Sequence, residues 1–83
     1  MRNYQYEIYL AVVRKSNWSG SNTLVTTMTN KKNTKVFFHG NLIAVVDHSK
    51  RTAKYDNCGF NNGCTSARIN AVKDAVKELG YTD

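Results

Sequence analysis

Residues 4–14 admit two hydrophobic periods. With a period of two, Tyr4, Tyr6, Ile8, Leu10 and Val12 share one face, with Gln5 and Glu7 on the other. With a period of about 3.6, Tyr4, Ile8, Ala11 and Val12 form a stripe, and the run is long enough for a helix. The β-branched and aromatic content favours a strand, so pattern alone leaves helix or strand open. Residues 14–22 are polar, rich in Ser and Asn, and include Gly20; they are expected to form a loop containing Trp18. Residues 23–29, rich in Thr and Val, read as a strand. Asn30-Lys31-Lys32-Asn33 then reads as a hairpin turn. Residues 35–47 read as a strand interrupted at His39-Gly40-Asn41, either by a β-bulge or by a two-residue hairpin turn, to which Gly-Asn is suited. A turn over 48–51 and a strand over 52–56 complete this half of the chain.

The stretch Asn57-Cys58-Gly59-Phe60-Asn61-Asn62-Gly63-Cys64 does not favour a continued strand. Gly59 and Gly63 tolerate backbone angles closed to other residues, and Asn61-Asn62-Gly63 is the expected turn tip. Thr65 or Ser66 is placed to cap a helix beginning near Ala67. In that helix Ile69, Val72, Val76 and Leu79 form a narrow apolar stripe. Ala71 and Ala75 add helix propensity, and Gly80 stands where a C′ glycine ends a helix. The pattern predicts one α+β domain over 1–83: a three- or four-stranded antiparallel meander over 23–56, packed against a C-terminal helix over 66–79.

Three segments carry a family likeness. They are Phe38-His39-Gly40-Asn41-Leu42-Ile43-Ala44, Cys58-Gly59-Phe60, and Thr65-Ser66-Ala67-Arg68-Ile69-Asn70. In this order and spacing they resemble small proteins of tailed bacteriophages and their prophages, with Asn22-Thr23 as a further match. Phe60 departs from the tryptophan more usual at that position, as does the long helix after the motif. The resemblance implies phage origin and a helix over 4–14 in preference to a strand. No activity comes with it.

Composition limits the alternatives. A chain of 83 residues buries only about 60–65% of its unfolded surface, so the core is thin. A hydrophobic content of 41% is nevertheless too high for a disordered tail. Two cysteines make no secreted disulfide framework. Neither a signal peptide nor a run of about 20 apolar residues is present, so a cytoplasmic protein without membrane association is expected. Twelve basic and six acidic residues give a net charge of +6, which favours polyanionic partners.

Catalytic chemistry finds little support. His39, His48, Cys58 and Cys64 are soft zinc-ligand types, but five residues separate the cysteines and the histidines lie on different elements. No metal or other cofactor is therefore expected. A cysteine–histidine pair lacks an orienting third group, and Asp74 and Glu78 read as a solvated helix face. The expectation is a non-enzyme.

Binding remains. Lys31, Lys32 and Lys35 cluster near one turn, Lys50, Arg51 and Lys54 near another, and Lys73 and Lys77 on the helix. Tyr55 and Phe60 lie among them and could stack on bases. Trp18 reads as a cover for the core edge, with a surface anchor as the sharper alternative. Arg68 lies against the helix dipole and, with Asn70, reads as a structural tie to the preceding turn, bonded to a carbonyl or to Asp56. The sequence favours a non-enzymatic accessory protein that binds and modulates a host protein or protein–nucleic-acid complex, with inhibition of host defence as one form of that action. Its runner-up is a small nucleic-acid-binding protein.

Overall fold

The computed structural model describes residues 3–29, 32–56 and 63–81. In chain order the elements are α1 (Asn3–Arg14), β1 (Trp18–Gly20), β2 (Thr23–Thr27), β3 (Asn33–Phe38), β4 (Asn41–Asp47), β5 (Thr52–Tyr55) and α2 (Gly63–Leu79). The strands pair antiparallel in that order. The helices pack against each other, α1 over β1 and β2 and α2 over β4 and β5. The fold is α+β, a meander with a helix at each end of the chain.

The first segment is a helix because its 3.6-residue stripe, and not its alternating one, has a core to face. Ile8, Ala11 and Val12 are buried, while Tyr6 is exposed and Leu10 half-buried. Lys15 ends α1 in the left-handed region, with φ 54°. Lys15 N–H then donates to Val12 and Ser16 N–H to Ala11, the paired bonds of a Schellman cap.

The expected loop over 14–22 contains a fifth strand. Ser21 and Asn22 have φ values of 48° and 60°, the geometry of a two-residue primed turn whose twist suits a hairpin. Asn17 Oδ1 accepts the Thr27 N–H at 2.7 Å and helps hold this edge.

The interruption at His39-Gly40-Asn41 is a hairpin turn, but its two central residues are His39 and Gly40, with φ 52° and 79°; Asn41 already pairs with Phe38. A bulge occurs as well, further along. Val36 opposes Ala44 and Phe37 opposes Leu42, leaving Ile43 without an opposite residue. The extra residue turns both Ile43 and Ala44 toward the core, where both are buried.

Helix α2 begins at Gly63, ahead of the expected start. Thr65 and Ser66 are thus inside the first turn instead of at its cap; Thr65 is buried and Ser66 exposed. The buried stripe also differs from the expected one. Thr65, Arg68, Ala71, Val72, Ala75 and Val76 are buried, whereas Ile69 and Leu79 are half-buried. The two alanines are core residues whose small side chains permit close approach of the layers. Gly80, at φ 77°, ends the helix with Gly80 N–H to Lys77 and Tyr81 N–H to Val76.

Candidate functional site

Both helices cover the same face of the sheet, and register fixes what the other face presents. Opposed residues share a face. Val25, Val36 and Ala44 therefore form a buried row beneath the helices. The neighbouring register positions form rows on the uncovered face. Leu24, Phe37 and Leu42 are opposed in one row. Thr26, Lys35, Val45 and Lys54 are opposed in the next. Leu24 is 46% and Leu42 37% exposed; Lys35 and Lys54 are exposed, and Phe37 and Val45 half-buried. At the end of the apolar row lies an open notch of about 350 Å³, lined by Gly20, Asn22, Thr23, Leu24, Phe37 and Gly40.

The meander places its turns at two ends. At one end His39 N–H donates to Asn22 O at 2.9 Å and joins the two primed turns. At the other, His48 N–H donates to Lys32 O at 2.8 Å and joins the turns that carry Lys32, Lys50 and Arg51. The two basic turns, separate in sequence, are thus neighbours. Asp47, the acidic residue nearest them, caps its own turn: Oδ1 accepts the N–H groups of Ser49 and Lys50, each at 3.0 Å.

The covered side holds two polar constructions. Arg68 is 5% exposed. Its Nε donates to Thr23 Oγ1 at 2.6 Å and its Nη2 to Ser21 O at 2.8 Å. The guanidinium lies 4.4 Å from the Tyr4 ring centroid and 4.0 Å from that of Phe38, within cation–π range of both. These contacts tie α2 to α1 and to the β1–β2 turn. The second construction is a chain of hydrogen bonds. Thr27 Oγ1 lies 2.9 Å from Thr34 Oγ1, which lies 2.7 Å from His48 Nε2; His48 Nδ1 lies 3.0 Å from the Tyr81 hydroxyl. Burial holds the His48 pKa below its ordinary value, Lys15 adds to that, and Asp47 opposes it.

The candidates from sequence are distributed as follows. Lys35 and Lys54 lie on the uncovered face, and Lys32, Lys50 and Arg51 at its basic end. Lys73 and Lys77 are on α2, in the other layer; Lys73 Nζ lies 5.2 Å from the Tyr55 ring centroid. Trp18 opposes Val25 and packs against the core, so it is on the helix side of the sheet. Its ring lies so close to Gly20 that a Cβ there would be 3.0 Å from Trp18 Cζ2. His39 and Gly40 form the turn, Asn41 Nδ2 donates to His39 O at 3.3 Å, and Asn70 is exposed on α2. Lys31, Cys58, Gly59, Phe60 and the Cys64 side chain lie outside the described residues. His39 and His48 are at opposite ends of β4, and among the described residues no three potential ligands group together. Among them also, no helix is long and apolar enough to cross a membrane.

Residues 1–82 match the description of one protein family, Kyanoviridae Gp96 protein. The chain belongs to that family. Membership makes it a bacteriophage protein, in keeping with the resemblance carried by its sequence motifs. Neither a curated protein nor a solved structure matches it.

Sequence reasoning overlooked Leu24, Phe37, Leu42 and Val45. The signal was in the chain: Leu24-Val25, Phe37-Phe38 and Val45-Val46 are adjacent apolar pairs. In a strand, neighbours point to opposite faces. Strands apolar on both faces, in a sheet covered on one, leave an apolar surface open to a partner.

Proposed function

We propose that this Gp96-family protein is a non-enzymatic phage accessory protein that acts inside the infected cell. It binds a host macromolecule, a protein or a protein–nucleic-acid complex, through the uncovered face of its sheet and modulates it, as an inhibitor of host defence would. The observation that carries the reading is the apolar row Leu24–Phe37–Leu42 beside the lysines Lys35 and Lys54, on the face opposite both helices. An exposed apolar strip bordered by polar groups marks an interaction surface.

The test is capture from host lysate with tagged wild-type protein and with the double variant Leu24→Asp/Leu42→Asp, each with and without nuclease and at two salt concentrations. The expected result is a component retained at near-stoichiometric yield by the wild type and lost by the variant. Equal capture by both proteins, or none by either, would overturn the reading.

A further inference from the structure

We propose that the uncovered sheet face binds single-stranded nucleic acid, with bases lying over Leu24 and Phe37 and phosphates running past Lys35 and Lys54. The inference rests on the preceding reading and names the partner class of the same face.

Three observations carry it. The first is placement of charge. Lys35 and Lys54 stand on the face, and the Lys50–Arg51 turn closes one end of it, while Asp47 is engaged in capping that turn. The exposed acids Glu7, Asp74 and Glu78 are on the helices, in the other layer, and Asp56, beside Lys54 at the end of β5, is outnumbered by the cations Lys32, Lys35, Lys50, Arg51 and Lys54. Such a surface attracts a polyanion and repels a second copy of itself.

The second is the position of Lys35. It lies on β3, the middle strand of five, and so near the centre of the face. Protein–protein interfaces are depleted of lysine and of charge at their core. A backbone of phosphates instead requires cations in the middle of its path.

The third is geometry. The apolar row and the lysine row are separated by two residues along β2 and β3, about 7 Å, and by three along the bulged β4, which lets a base and its phosphate address different rows. Phe37 offers a ring for stacking, and the notch beside it has room for one nucleobase. A duplex keeps its bases stacked inside and would leave the apolar row without a partner, so the single strand is favoured.

The experiment is fluorescence anisotropy with labelled oligodeoxythymidine and oligouridine of about 20 nucleotides, a duplex of equal length, and heparin as competitor. The single strands are expected to bind more tightly than the duplex, with affinity falling as salt rises. Phe37→Ala should weaken binding about 5- to 100-fold with little change in salt slope, and Phe37→Trp should restore it. Lys35→Gln and Lys54→Gln should each lower the salt slope by about one. Thermal melts of each variant show that its fold is retained. Failure to bind single strands at low salt, preference for duplex, or indifference to Phe37→Ala in a folded protein would overturn the proposal. If lysate capture still depends on Leu24 and Leu42 when oligonucleotides do not bind, the partner is a protein; this inference then falls while the broader reading stands.

Discussion

Arg68 Nε stands 2.6 Å from Oγ1 of Thr23, joining the second turn of α2 to the first residue of β2. Thr23 Oγ1 in turn lies 3.1 Å from the Ser21 carbonyl, which also accepts from Arg68 Nη2. Desolvating a guanidinium is costly unless its donors are met and its charge is compensated; here hydrogen bonds and two aromatic faces contribute to that compensation. Arg68→Ala should therefore lower stability by about 2–4 kcal/mol, since it removes the donors to Thr23 Oγ1 and Ser21 O and opens space between Tyr4 and Phe38. Arg68→Lys keeps the charge but loses the planar fork, and should recover only part of the loss. Urea denaturation measures both. A loss below about 0.5 kcal/mol for Arg68→Ala would show that these contacts do not anchor the helix.

The His48 pKa is lowered by folding, which sets the sign of a pH effect. Above its ordinary value of 6.5 the ring is neutral in folded and unfolded chains alike, and the stability associated with it is fully present. As pH falls through 6.5 the unfolded chain takes up the proton first, so stability drops until the folded-state pKa has been passed. Urea midpoints should decline as pH falls through 6.5, and His48→Gln should flatten that decline. An unchanged slope in the variant would place the titration elsewhere.

Arg51 holds φ 58°, a conformation that costs a non-glycine residue about 1–2 kcal/mol. Arg51→Gly removes that strain at some expense in unfolded-state entropy, so it should be neutral to stabilising by up to about 1 kcal/mol. The same change removes a cation from the basic end. An unchanged or raised thermal midpoint with weaker oligonucleotide binding is the expected pair of outcomes, read from a thermal melt and anisotropy.

Ala75 is fully buried, whereas Ile69 is half-buried. Ala75→Leu should cost about 1–3 kcal/mol by overpacking. Ile69→Ala should cost less than Ala75→Leu. Chemical denaturation that ranked them the other way would restore the stripe centred on Ile69.

What could be read from the chain was whatever had a local cause. Gly80 marked the end of α2, and the α+β architecture followed from the order of the periods. Features decided by pairing were harder to see. A three-residue edge strand has too short a pattern to separate from a polar loop, and it forms because Ser21 and Asn22 both accept left-handed angles. The bulge at Ile43 shows itself only once Phe37 and Leu42 are placed opposite each other. The 4–14 segment was ambiguous because Ile8 and Val12 belong to both periods, so only the packing of α1 on α2 separates them. At the candidate face the lysines were legible as charge, but their neighbourhood was not: topology brings Lys50 and Arg51 beside the turn of Lys32 and sends Lys73 and Lys77 to the other layer.

Every strand pairs with its neighbour in the chain, yet α1 packs against α2, the first element against the last. Gln5 Nε2 donating to Ala67 O at 3.0 Å is part of that closure. During synthesis the meander can zip up strand by strand and offer β1 and β2 to α1, while the rest of the buried face of α1 waits for a helix that has not yet been made. The nascent domain thus carries an unfinished apolar layer until α2 emerges, and its vulnerable interval is set by translation of its own last helix.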